Sequence, residues 1–206
     1  MEILGDSSVA ALSQNDVEQG RNLTMKRIGI ISDTHLKEHF PRKFIAPALA
    51  AFNDADLILH AGDVNAPWVI EELEKIAPVH VVLGNTDNSN ILLDAPVSRR
   101  VEVENYVIGL THGDTFREPK IKPVPGAAGN MQTAANALSH FQFEADVNCI
   151  VFGHSHFPLL LWHEFAGRKV LLLNPGSVTQ KRAAPNCGCA IIEVDGNKLD
   201  AKLISW

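Results

Sequence analysis

The stretch "IGIISDTH", residues 28–35, runs through small and branched apolar residues and then stops at four polar ones. Branched apolar side chains suit an extended segment packed in a sheet, and the abrupt polar end marks where such a strand leaves the core. The same theme returns in "LILHAGD" (57–63), "VHVVLGNTD" (79–87), "YVIGLTHGD" (106–114) and "NCIVFGHSH" (148–156). Each run closes on Asp, Asn or His.

What lies between the runs sets the fold class. "KFIAPALAAFNDA" (43–55) is Ala-rich around Pro47, and "PWVIEELEKIA" (67–77) starts on a proline suited to a first helical turn. Strand, helix, strand alternation predicts parallel strands with helical cover, an α/β protein. "PVSRRVEVENYVIGLTHG" (96–113) reads instead as a hairpin turning at Glu104-Asn105, and "MQTAANALSHFQFEAD" (131–146) as one further helix. The last fifty residues read as strands flanking Ala166-Gly167 and a hairpin folding back at Asp195-Gly196, so a second, mostly antiparallel sheet is expected to stack on the first. "PKIKPVPGAAGN" (119–130) reads as a solvated connection, with a substrate lid as the sharper alternative.

Composition narrows the function. The chain has 206 residues, 46% hydrophobic and 20% charged, enough for one domain with a sizeable core. Its net charge of -6 is the wrong sign for gripping nucleic-acid phosphates, so no stable nucleic-acid binding is expected. Cys149, Cys187 and Cys189 show no paired CxxC spacing, which points to a reducing, cytoplasmic setting. Residues 1–24 lack a basic start and apolar stretch, and no membrane span is expected. They read as a poorly ordered extension ahead of a domain spanning 25–206.

The polar strand ends carry the chemistry. Side chains at i and i+2 of an extended segment point the same way, so Asp33 with His35, and His154 with His156, can each converge. In open α/β sheets the carboxyl ends of parallel strands line the ligand crevice. The runs bring Asp33, His35, Asp63, Asn85, His112, His154 and His156 there. A lone His-x-His is a weak metal signal; the same pair beside five other strand-terminal donors is a strong one. Seven donors fit two ions if Asp63 is shared: Asp33, His35, Asp63 and His156 for one, and Asp63, Asn85, His112 and His154 for the other. Mixed nitrogen and oxygen ligation suits Mn²⁺, Fe, Zn²⁺ or Ni²⁺. Such a metal pair, roughly 3.5–4 Å apart, activates water and clamps a phosphoryl group.

In this order, and each behind a strand, "DTH", "GD", "GNTD", "THG" and "GHSH" resemble the motifs of the calcineurin-like metallophosphoesterases. The small size, the GNxD form and "LNPGSV" (173–178) are similar to the YfcE-type phosphodiesterase branch, over residues 26–206. The resemblance implies a four-layer α/β/β/α sandwich of two stacked mixed sheets with flanking helices. It also implies two divalent ions, manganese first with Ni, Zn, Fe or Mg as alternatives, and attack on a phosphate diester by a metal-bridging hydroxide. Asp63, Asn85 and His112 would then act in catalysis as well as ligation, with Asp87 orienting a ligand from behind. Two positions depart from the family. Protein phosphatases of this superfamily carry a histidine where this chain has Thr86, a hydroxyl unable to protonate a leaving group near neutral pH. Many relatives carry a histidine where this chain has Asp114, whose charge would favour singly charged diesters over monoesters.

His60 fits both a brace for a ligand and an ordinary strand histidine; His39, His80, His140 and His163 lack a partner motif. Asn174 and Ser177 suit a tight turn, or a contact to phosphate or to a ligand. The expected partner is a small-molecule phosphodiester, and a homo-oligomer is compatible with exposed strands. The competing reading is a protein-binding scaffold on the same fold, such as the retromer subunit with its degraded metal site; complete ligands favour the enzyme. A third keeps the chemistry but takes a cyclic nucleotide or nucleic-acid end.

Overall fold

The computed structural model describes residues 25–87, 94–114, 127–142, 144–165, 167–182 and 184–206. Expectations for residues 1–24, and for most of the Pro- and Gly-rich stretch, lie outside them. Residues 127–130 of that stretch are not a loop; they open a helix.

The strands are β1 (Lys26–Ile31), β2 (Leu57–His60), β3 (Val79–Val81), β4 (Ser98–Val103), β5 (Tyr106–Thr111), β6 (Val147–Val151), β7 (Leu159–Phe165), β8 (Arg168–Asn174), β9 (Gly188–Asp195) and β10 (Lys198–Ser205). The helices are α1 (Ala46–Ala51), preceded by a 3-10 turn, α2 (Pro67–Glu74) and α3 (Ala127–His140). Pro47 and Pro67 sit in the first turns of α1 and α2, where a missing N–H costs nothing.

Two sheets form, ordered β10-β9-β1-β2-β3 and β4-β5-β6-β8-β7. In the first, β1, β2 and β3 are parallel while β9 runs antiparallel to β1. In the second, β5, β6 and β8 are parallel, flanked by antiparallel β4 and β7. The inner faces meet in one apolar layer that includes Ile30, Leu59, Ile108, Val151, Leu171 and Ile192. Helices α1 and α2 cover the first sheet through Ala48, Val69 and Leu73, and α3 covers the second through Ala134 and Ala137. Each sheet is thus apolar on both faces, as a strand sandwiched between layers must be, and the expected α/β/β/α sandwich of mixed sheets is observed.

The last fifty residues do not build a sheet of their own. β7 and β8 complete the second sheet, while β9 and β10 return to the first. The reason is burial: six of the eight β9 residues, all but half-buried Glu193 and the terminal Asp195, would be wasted on an edge, and pairing with β1 and β10 buries Cys189 through Ile192 and Val194. Its hairpin turns on Gly196 and Asn197, one residue later than expected, because Asp195 pairs with Lys198. Among the described residues no helix is long and apolar enough to cross a membrane.

Candidate metal centre

The ligand-type residues follow β1, β2, β3, β5 and β6, so they come from both sheets and meet at one edge of the sandwich. Their convergence does not arise from extended backbone. β1 ends at Ile31 and β6 at Val151, and Asp33, His35, Asp63, His154 and His156 take φ of 52, 45, 56, 65 and 60°. The left-handed region is unfavourable for residues with a Cβ, though less so for Asp and His, and its recurrence here turns successive side chains inward where an extended strand would not. The i, i+2 expectation holds for Asp33 with His35, by a different geometry, whereas His154 approaches Asn85 and His156 approaches His35 and Asp33.

The donors form a chain of close approaches. His156 Nε2 lies 3.0 Å from His35 Nε2 and 3.2 Å from Asp33 Oδ1. Asp63 Oδ2 lies 3.3 Å from His35 Nε2 and 3.4 Å from His112 Nε2. Asn85 Oδ1 is 3.1 Å from His112 Nε2 and 3.0 Å from His154 Nδ1. All seven expected positions therefore come together, with Asp63 in the middle.

The hydrogen bonds behind these atoms show which way each donor faces. His156 Nδ1–H donates to the Gln180 carbonyl (2.6 Å) and His112 Nδ1–H to the Ala61 carbonyl (2.7 Å), so each ring turns its Nε2 toward the cluster. Asp33 Oδ2 accepts from Ser32 Oγ (2.7 Å) and the His154 N–H (3.0 Å), whereas its fully buried Oδ1 has no hydrogen-bond partner. An orphaned carboxylate oxygen beside two imidazole nitrogens is costly unless a cation sits among them. Asp33, His35 and His156 form one compact ligand group, and Asp33, Asp63 and His112 a second. The residues present therefore fit divalent ions.

Asp87 touches none of these donors. Its carboxylate accepts the N–H groups of Asp63 (2.8 Å), Gly84 (2.9 Å) and Asn65 (3.0 Å), tying the two loops that carry Asp63 and Asn85. Asn174 Nδ2 donates to the Gly153 carbonyl (2.8 Å) and Ser155 Oγ (3.0 Å), and Ser177 Oγ donates to the Asp33 carbonyl (2.7 Å). Both brace ligand-bearing backbone, a role beyond a tight turn. Buried His60 faces Thr34 Oγ1 (3.3 Å), beneath the Asp33–His35 loop. Of the histidines without a motif, His80 sits beside Arg99. Sequence reasoning passed over Ser32, Gly84, Gly153 and Gln180. Ser32 and the two glycines sit inside the motif runs and could have been flagged by position, but Gln180 contributes only a carbonyl and carries no sequence signal.

The ionisation pattern depends on these contacts. Burial opposes charge on His112, but Asp63, together with Asp33 and Asp114, more than reverses this and raises its pKa to about 10. Burial, then the neighbouring His112, lowers His154 to about 4, so it is neutral near pH 7. A group whose folded pKa lies above its unfolded value stabilises fully below the unfolded pKa, about 6.5 for His, and loses that contribution as pH rises through the folded one. The chelator-treated protein is therefore expected to lose thermal stability between about pH 6.5 and about 10. With a metal ligated by His112 that slope should vanish, because the ligand can no longer bind a proton. Melting curves across this range, with and without Mn²⁺, check it; a flat profile in chelator would contradict the His112–Asp63 coupling.

Two stacked mixed sheets with a His, Asp and Asn cluster at one edge define a metallophosphoesterase. The calcineurin-like phosphoesterase superfamily domain matches residues 25–197, and the chain belongs to that superfamily. It is 35% identical over 177 residues to the "Probable metallophosphoesterase" of Methanothermobacter thermautotrophicus, covering 86% of this chain and 91% of that one. Among solved structures it resembles the Escherichia coli phosphoesterase YfcE, with a TM-score of 0.53, 18% identity and coverage of 86% and 99%. It also resembles Vps29 of Entamoeba histolytica complexed with Zn²⁺, with a TM-score of 0.58, 20% identity and coverage of 87% and 98%. At such identities these two structures bear on the fold alone.

Proposed function

We propose that the protein is a dinuclear phosphodiesterase, and the position of Asp63 Oδ2, 3.3 and 3.4 Å from the Nε2 atoms of His35 and His112, carries this reading. Asp33, His35, Asp63 and His156 would hold one divalent ion, and Asp63, Asn85, His112 and His154 the other, manganese being the first expectation. Such ions supply Lewis acidity to the phosphoryl group and a hydroxide nucleophile near neutral pH. The chain's own groups hold those ions, fix their spacing through Asp63, and orient the loops through Asp87 and Asn174.

Substrate class follows from what surrounds the donors. The Thr86 hydroxyl donates to Asn65 Oδ1 (3.1 Å) and has no acidity to offer a leaving group. Asp114 is buried near His112, adding a carboxyl to a site that already holds Asp33, Asp63 and Asp87. A doubly charged monoester meets more repulsion there than a singly charged diester, and its poor leaving groups need the missing acid more. Bis-p-nitrophenyl phosphate should be hydrolysed faster than p-nitrophenyl phosphate with Mn²⁺, and neither with chelator; faster monoester turnover would reverse the assignment. The scaffold reading predicts instead a purified protein that binds no divalent metal tightly and gains no activity with Mn²⁺. The convergence of seven competent donors favours the enzyme.

A further inference from the structure

The connection from β8 to β9 is fastened to both histidine-bearing loops. Ser177 Oγ and Thr179 Oγ1 donate to the carbonyls of Asp33 and Thr34, each at 2.7 Å, and the Gln180 carbonyl accepts from His156 Nδ1. Ser177 Oγ also accepts the N–H of Gln180 (2.9 Å), which rigidifies the turn. Two residues beyond Gln180 stands Arg182, exposed and with a left-handed φ of 44°. Its Nη1 donates to the His154 carbonyl at 3.4 Å, a long bond that leaves most of the guanidinium's donors uncommitted.

That guanidinium differs from those of Arg27, Arg42 and Arg100, and Arg99, which also lacks a carboxylate partner among the described residues, lies beside His80. Arg27 pairs with Asp54 and Glu193, Arg42 with Glu72, and Arg100 with Glu144 and Asp146. Arg182 has no carboxylate within ion-pair distance among the described residues, although four acidic side chains belong to the neighbouring site. With ions bound the donor set itself is anionic or neutral, and Thr86 adds no cation. A planar guanidinium is suited to two oxygens on one phosphorus, and a diester presents two such oxygens sharing one negative charge.

We propose that Arg182 is a side-chain cation that binds substrate alongside the ions of this site, its guanidinium gripping the two unesterified oxygens of the phosphodiester beside His154. This rests on the phosphodiesterase reading, and it narrows the substrate to esters that leave both of those oxygens free for one planar contact. Arg182 adds binding and orientation; no bond to it forms or breaks.

The test compares wild type, Arg182→Ala and Arg182→Lys, each loaded with Mn²⁺. Arg182→Ala should raise KM for bis-p-nitrophenyl phosphate, and the inhibition constant of inorganic phosphate, by about 10- to 100-fold, the range of lost charge-assisted hydrogen bonds. Metal content and melting temperature should not change. Arg182→Lys should recover part of the loss, and added guanidinium should restore part of the Arg182→Ala rate. Wild-type KM and wild-type phosphate inhibition in an active Arg182→Ala protein overturn the proposal. A wild type that hydrolyses no diester overturns the phosphodiesterase reading instead; calorimetric titration of inorganic phosphate into wild type and Arg182→Ala then decides Arg182 separately, equal affinities counting against it.

Discussion

Asp63→Ala should abolish Mn²⁺-dependent hydrolysis of bis-p-nitrophenyl phosphate down to the rate seen with chelator, and should lower metal content at both positions together. The expectation follows from one atom. Asp63 Oδ2 faces His35 Nε2 on one side and His112 Nε2 on the other, while Oδ1 is occupied by the Thr86 N–H at 2.9 Å. Removing it takes a ligand from each ion and the shared charge that lets two cations approach. It also leaves His112 without the partner that favours its charged form, so the pKa of about 10 should fall in the metal-free variant. His154→Ala and His156→Ala serve as the comparison, since each should weaken one ion more than the other. Elemental analysis and metal titration distinguish the cases, and retention of full metal content and rate by Asp63→Ala would show that the carboxylate does not bridge.

Nearly as large an effect is expected from Gly84→Ala, which removes no donor at all. A methyl group at Gly84 would overlap Asp63 Oδ1 and the Asp63 backbone N, with the Asp63 carboxyl carbon at 2.9 Å. Neither can retreat easily, because the Asp63 N–H and the Gly84 N–H share the same Asp87 oxygen. The Asp63 carboxylate must therefore swing out of the cluster or the two loops must part. Overpacking of this kind costs about 1–3 kcal/mol of stability, and more where backbone is struck. Metal loading should be lost in proportion, even though all seven donors remain in the chain. A Gly84→Ala protein with wild-type metal content would mean that the loops are far more compliant than this packing suggests. Gly153→Ala provides an independent version, since its methyl would press on Ser32 Oγ and the Asp33 carboxylate.

The pattern that was legible in the sequence is the local one. Branched apolar runs such as 28–31 and 147–151 become strands because their burial is continuous, and the polar residues that end them fall at the sheet edge wherever the strands pair. Donor identities were legible for the same reason. Partner choice was not, because a strand buried on both faces, as β9 is, satisfies either sheet equally well on its own pattern. Backbone conformation was also hidden: nothing in "SDTH" or "GHSH" announces that Asp33, His35, His154 and His156 adopt left-handed φ, a consequence of contacts from distant residues such as Ser177 and Asn174. Arg182 was invisible because its proposed role rests on the ion pair it does not make among the described residues.

The return of β9 to the first sheet also fixes an order of maturation. β1, which delivers Asp33 and His35, has β2 on one side, and on the other only Ala190 to Val194, which are synthesised long after it. Until those arrive, one edge of β1 is unpaired, and the Ser177, Thr179 and Gln180 contacts that hold the Asp33, Thr34 and His156 backbone and ring do not exist. Long-range pairing of this kind forms late and slowly. A nascent chain thus carries its expected metal donors well before it can hold them in place, so metal capture awaits the arrival of β9.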